Sequence, residues 1–233
     1  MISIAYIIYM YLFNKCEYPG CHSYAISMVN QEKDSLENST FCLKHCPSPE
    51  EESASIVQYI MSHDKIINLN ADGLSLDGLD LGGKKFYGCN FQHTSFNNIH
   101  SNMLRARMCM FDFSTFSDCL FTQSNIQFYS FSGSKLVHVT FTGSDLIHNN
   151  FNGITSYQSS FDDSDLYNSR FIKAILINTS MINCNLKKTA FYEAAREGVS
   201  FKLSNTREAL LDRRKGGMIG EIGANFDEME DEQ

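Results

Sequence analysis

The sequence predicts an all-β solenoid, and three observations carry that prediction. Apolar residues recur every five places without a slip. A small residue stands two places before most of them. Phenylalanines line up again every twentieth place. Stepping by fives from Leu76 to Phe191 visits 24 positions, and 21 of them are Phe, Leu, Ile or Met. Twelve of the 14 phenylalanines between residues 76 and 191 fall on this one phase. A helix repeats every 3.6 residues and a strand every two, so neither produces a period of five. Such a period marks a stack of equal structural units, and it has to be found before any local element is assigned.

The elements follow in chain order. Residues 1–48 form an N-terminal Cys/His segment that opens with the apolar run MISIAYIIYMYLF. That run is shorter than the roughly 20 apolar residues a membrane span needs. It also lacks the basic start and small-residue cleavage site of a secretory signal. It reads as a buried strand or as an over-long start with Met10 as initiator, with a membrane anchor the weaker alternative. A cytoplasmic location is expected.

Cys16, Cys21, Cys42 and Cys46 lie within 31 residues, with His22 and His45 among them. CEYPGC and FCLKHC give Cys-x4-Cys followed by Cys-x2-His. Two close ligand pairs across a loop build a tetrahedral zinc site with little closure entropy. Cys16, Cys21, Cys42 and His45 are the expected ligands, with Cys46 able to replace His45. A disulfide pair and unliganded thiols stay open. The spacing resembles small treble-clef-like or knuckle-like zinc modules. Four protein ligands leave no open position for an activated water, so a Zn2+ here is expected to be structural. The remaining cysteines, 89, 109, 119 and 184, sit on the small inward phase of the repeat, where a thiol acts as a compact hydrophobe.

Residues 49–71 are a linker and capping element, with a helix expected over 52–63 that turns Ile56, Tyr59 and Ile60 to one side. Residues 72–193 hold the repeat. Units such as CNFQH at 89–93, SDLIH at 144–148, SDLYN at 164–168 and CNLKK at 184–188 put a small residue, a spacer and then a central Leu or Phe in order. This pattern resembles the pentapeptide-repeat family. The resemblance implies a right-handed quadrilateral β-helix with four pentapeptides per coil, here about six coils. Phe91, Phe111, Phe131, Phe151, Phe171 and Phe191 would then stack in one column, at the ordinary strand spacing of about 4.8 Å. Where the central residue is small, at Ser101, Ala106 and Ser156, the residue two places earlier is large: Ile99, Leu104 and Ile154. Dense cores require such compensation. Tyr129 before Phe131 breaks the rule and is expected to bulge or turn outward. Residues 194–216 are read as a C-terminal cap with a helix over 205–215, from Asn205 as N-cap and Glu208 three residues on. Residues 217–233 read as a flexible acidic tail.

Charge and side-chain chemistry narrow the function classes. The chain carries −8, but residues 72–193 hold nine Lys/Arg against ten Asp/Glu. No basic stripe stands out, so nucleic acid is not an expected partner. His93, His100, His138 and His148 fall on outer positions with no nucleophile beside them. Asp162, Asp163 and Asp165 fall on a coil corner and read as turn residues. GGMIGEIG at 216–223 lacks the Lys-Ser/Thr of a phosphate loop. A packed interior leaves no room for a small-molecule substrate, so no enzyme is expected. Met103, Arg105, Arg107, Met108, Met110, Phe113 and Phe128 make the candidate docking patch for a protein partner. The leading reading is a protein-interaction scaffold with a structural zinc module, a homodimer remaining open. Resemblance to the family members that protect gyrase gives a second reading, a DNA-mimicking modulator of gyrase or topoisomerase, which a near-neutral repeat fits poorly. A zinc-module regulator or bacterial effector is a third.

Overall fold

The computed structural model describes residues 13–211. The apolar run before Phe13 and the acidic tail at 217–233 lie outside the described residues. Among those described, no helix is long and apolar enough to cross a membrane.

The body is a parallel β-solenoid of about seven turns. Its rung strands are three residues long and pair in register with the strand twenty residues on. Lys65–Ile67 lies on Lys85–Tyr87, then Arg105–Arg107, then Asn125–Gln127. A second face stacks seven strands, from Ser75–Asp77 to Ala195–Glu197. Isolated bridges such as Met110↔Ser130 and Thr140↔Ser160 continue the other two faces. A turn of twenty residues therefore has four sides of five residues each.

The period of five follows from this geometry. The middle residue of each side points inward, and the next side begins after a quarter turn. The chain turns at the residue two places past the centre, which takes a left-handed backbone: His93 at φ 54°, Phe113 at φ 59°, Phe128 at φ 63°. The central phenylalanines stack face to face. Phe91–Phe111, Phe111–Phe131 and Phe131–Phe151 have ring centroids 5.2, 5.0 and 5.0 Å apart, all within 11° of parallel. Phe121, Phe141 and Phe161 form another column on a different side. The apolar void inside measures only about 20 Å3.

The small inward residue does more than fill space. Ser134 Oγ donates to the carbonyl of Phe111 at 2.6 Å and accepts the Ser114 N–H at 3.1 Å. Ser114, Ser144 and Ser164 repeat this one rung apart on their own corners. Each hydroxyl thus satisfies corner backbone groups that would otherwise be buried unpaired. Cys119 and Cys184 do the same with thiols.

Three expectations are corrected. The coil begins at Lys65 and continues to residue 211, so it has about seven turns where six were expected. There is no helix over 205–211: Asn205 bridges Asn185, and Leu210 bridges Ala190. Phe201 is buried and Leu211 packs on the core, so the five-residue phase outlasts the local capping signal. Tyr129 points inward, 3% exposed, with its ring against Phe111 at 5.6 Å. The coil beneath is small at Ala106 and Cys109, which leaves room for the ring. Among the described residues its buried hydroxyl has no nitrogen or oxygen partner, only the Cys109 thiol beside it. Burial, then the neighbouring Cys109 thiol, pushes its pKa well up.

The N-terminal region covers the first turn. β1 (Ser27–Asn30) and β2 (Ser35–Asn38) form a hairpin, and α1 (Pro49–Ser62) follows. α1 starts three residues earlier than expected because Pro49 suits the first helical position and Glu50, Glu51 and Glu52 favour the positive end of the dipole. Ile56 and Ile60 are wholly buried against the coil, with Tyr59, Val29, Leu36 and Leu43 packed beside them. This apolar cover blunts a raw solenoid end, which would otherwise offer unpaired backbone to other chains.

Candidate metal centre and docking surface

The Cys-x4-Cys loop is a turn with its geometry written into CEYPGC. Lys15 bridges Tyr24, and Cys16 N–H donates to Ser23 at 2.9 Å. At the tip, Cys21 N–H donates to the Tyr18 carbonyl at 3.0 Å across Pro19 and Gly20. Gly20 has φ +78°, the left-handed value this turn position demands. The second ligand pair comes from a 3-10 turn, Leu43–His45, closed by His45 N–H to the Cys42 carbonyl at 3.0 Å. The hairpin lies between the two turns and brings them together.

Cys16, Cys21, Cys42 and His45 converge, with their ligand atoms all within 4.8 Å of one another. Cys21 Sγ and Cys42 Sγ are 3.8 Å apart, so they are not bonded. His45 Nδ1 is 3.5 Å from Cys16 Sγ and 3.4 Å from Cys42 Sγ. A zinc tetrahedron with ordinary Zn–S and Zn–N bonds has edges of about 3.8 Å between sulfurs and about 3.5 Å from sulfur to nitrogen. These three separations match those edges, so this Cys3His set can hold a metal ion. Cys46 stays outside the cluster, on a groove lined by Ile26, Phe41 and Pro47, and His22 is not part of it.

Neighbours tune and orient the donors. The Ser23 backbone N–H, chiefly, holds the Cys21 thiol below its ordinary value, while burial pushes Cys42 up. Tyr18 stacks on the His45 ring at 3.9 Å and 11°, which fixes the imidazole plane. Such outer contacts orient metal-binding histidines.

Five residues that sequence reasoning passed over tie this centre to the coil. Leu43, between two ligands, packs on the core and rests beside Gly73. Ser27 N–H donates to the Asn70 carbonyl at 2.9 Å, and Asn70 N–H returns a bond to Ser27 Oγ at 2.9 Å. Asn90 Nδ2 donates to Asn70 Oδ1 at 2.9 Å, extending the tie by one rung. Lys84, 7% exposed, donates to the carbonyls of Met61 and His63 at the end of α1. Lys84 and Asn70 sit on repeat phases, and only their departure from the usual residue types could have signalled them.

The seven patch residues divide among sides. Met108 and Phe128 share one corner, twenty residues apart. Met103 lies on the corner before it and Phe113 on the corner after, so the last two are diagonally opposed. Met103, Phe113 and Phe128 are more than half exposed. Phe113 stacks on His93 at 5.7 Å and overlies Gly133, where an added Cβ would meet the ring at 2.7 Å. Phe128 stacks on His148 at 5.1 Å. Arg105 and Arg107 flank the Met108 corner on one side, and Met110 lies on the other. The set is one column with outliers, because each five residues turns the chain through a quarter circle.

Side chains weighed as catalytic groups serve the ladder instead. Asp162 accepts the Ile182 N–H at 2.7 Å, Asp163 pairs with Asn183 at 2.8 Å and Asp165 with Asn185 at 3.0 Å. His138 bridges Asp118 and Gln158 at 3.0 and 2.9 Å, and those bonds, Asp118 first, raise its pKa.

Fold and site together define a class: a four-sided parallel β-solenoid closed at one end by a Cys3His-centred cap. A family model of pentapeptide repeats, eight copies, matches residues 158–194. The same five-residue register runs through the coil on either side of that match. Among solved structures it is similar to a pentapeptide repeat protein from the Arabidopsis thaliana thylakoid lumen, at 32% identity and a TM-score of 0.30. That match covers 34% of this chain and spans 59% of the Arabidopsis protein's length. HetL, involved in heterocyst differentiation regulation in Nostoc, matches at 14% identity and a TM-score of 0.31, covering 68% of this chain and 94% of its own. QnrB1, a plasmid-mediated fluoroquinolone resistance protein, matches at 14% identity and a TM-score of 0.27, covering 62% and 90%. No curated protein matches.

Proposed function

We propose that this protein is a non-enzymatic interaction scaffold, in which a rigid coil presents columns of side chains to a protein partner and a structural zinc ion staples the cap. The observation that carries the reading is the packed interior. Inward positions are spent on stacked rings around a void of about 20 Å3, so chemistry with a partner has to happen on the outer columns. Exposed Phe128 occupies a left-handed corner, a conformation that bulky residues adopt only at a cost. The Cys3His set suits zinc because thiolates and imidazole are its preferred donors, and a closed set of four makes it structural. Gyrase mimicry draws no support from a repeat with nearly balanced charge.

The test is affinity purification from native extract with the wild-type chain and a Met108→Ser/Phe128→Ser double variant, with zinc content measured on both. The expected result is one zinc per chain in each and a partner retained only by the wild type. An identical set of retained proteins would remove this corner as the docking surface.

A further inference from the structure

The side of the solenoid next to the Met108 and Phe128 corner carries an arrangement that the fold itself does not need. Lys65, Lys85 and Arg105 stand in one column on successive paired rungs, with Arg107 beside Arg105. Successive rungs are about 4.8 Å apart. Like charges directly opposed across paired strands repel and destabilise. Among the described residues, none of these four cations forms an ion pair with a carboxylate. Lys65 lies over the Tyr87 ring at 5.5 Å, and Arg107 donates to Gln127.

Higher in the same column the fold handles like charge differently. Asp145 and Asp165 are also stacked neighbours, but amides interleave with them. Asn125 and Gln127 donate to Asp145 at 2.8 and 3.1 Å, and Asn185 donates to Asp165 at 3.0 Å. The carboxylates are thus stabilised by amide donors, whereas among the described residues Lys65, Lys85 and Arg105 face outward with no carboxylate paired to them, and Arg107 gives one donor to Gln127.

Apolar surface runs alongside. Ile67 is 46% exposed and Phe128 56% exposed, the latter in its left-handed corner. Exposed apolar side chains therefore flank the cationic stretch, Ile67 on the Lys65 rung and Phe128 at the corner one rung above Arg107. We propose that this side binds an acidic polypeptide segment of a partner protein, one that interleaves carboxylates with apolar side chains and lies along the solenoid axis. This deepens the scaffold reading and rests on it. A polypeptide fits better than nucleic acid for two reasons. The cationic stretch spans only about 10 Å, two rung steps. A duplex extending beyond it would meet Asp145 and Asp165, on a chain whose net charge is −8.

The experiment uses the full zinc-loaded chain and fluorescence anisotropy. Its probes are a short labelled peptide alternating glutamate with leucine, the same peptide with lysine for glutamate, and a short labelled DNA duplex. The expected result is that the glutamate peptide binds. Charge reversal in Lys85→Glu/Arg105→Glu should weaken it about tenfold or more, and added salt should weaken it further, as charge complementarity requires. A Lys85→Gln/Arg105→Gln variant, which cannot fail through new repulsion, should lose binding in the same direction. Equal binding of the lysine peptide, tighter binding of the duplex, or unchanged binding by both variants would overturn the proposal. If a cellular partner is lost by Met108→Ser/Phe128→Ser yet kept by Lys85→Glu/Arg105→Glu, the scaffold reading survives and the acidic-segment assignment fails. If neither variant changes capture, the acidic-segment assignment fails and the Met108 and Phe128 corner is removed as the docking surface.

Discussion

The cap and the coil solve the same problem in opposite ways. The coil spreads its stability over many equivalent rungs, each ring resting on the one below. The cap gathers four metal-capable side chains within 4.8 Å and, among the described residues before α1, buries few apolar side chains fully, Ala25 and Ile26 among them; on the proposed function its stability is concentrated there. Distributed stability makes damage local, as expected for solenoids whose units touch only their neighbours. Concentrated stability makes damage all-or-none, as in small domains that fold only around their metal.

The sharpest break of that comparison is Cys42→Ala. Structural zinc is worth about 10–16 kcal/mol in small zinc modules, so losing one ligand should abolish zinc retention and unfold residues 14–46. Amide exchange should become fast there while the amides of Phe151 and Phe171 stay protected. Collapse of the whole coil instead would mean that cap and coil are one cooperative unit. Next in size is Phe131→Ala, which opens a hole in the stacked column and should cost about 3–5 kcal/mol in denaturant unfolding. Zinc content should not change.

Tyr129→Phe should act in the opposite direction. Among the described residues only the Cys109 thiol lies beside the buried hydroxyl, and removing a hydroxyl without a strong partner relieves a desolvation cost of about 1–3 kcal/mol. A rise in the melting midpoint is expected, and a fall would show that the hydroxyl has a partner. The smallest effect concerns His138, whose folded pKa lies above the ordinary 6.5 through its bond to Asp118 and then Gln158. The stabilisation is fully present below 6.5, where the ring is protonated in both states, and it fades as pH rises through the folded pKa. NMR titration should show the raised value, and Asp118→Asn should bring it down.

The coil was legible because no regular local structure repeats every five residues, so the phenylalanines admitted one explanation. Its last turn was less so: Arg196 and Thr206 interrupt the phase, and Asn205 with Glu208 imitates a helix start. At the metal centre, spacing alone could not choose between His45 and Cys46, which both lie about one turn beyond Cys42. In the structure the 3-10 turn aims His45 Nδ1 at the thiols, while Cys46 stays outside the cluster. The proposed docking patch divides on the coil, since adjacency along the sequence carries Met103 and Phe113 to other corners. Lys84 was hidden on a phase that small residues usually hold, and only the helix end it reaches explains it.

The register of twenty has a consequence for how such a chain can change length. Inserting one five-residue unit midway would rotate everything above it by ninety degrees relative to everything below. Phe91 and Phe111 would keep their stack, but Lys85 and Asp145 would no longer share a side, and any surface assembled across the insertion would be dismantled. Only additions or deletions of a full lap preserve such a surface, so length variation among functional versions of this molecule should come in multiples of twenty.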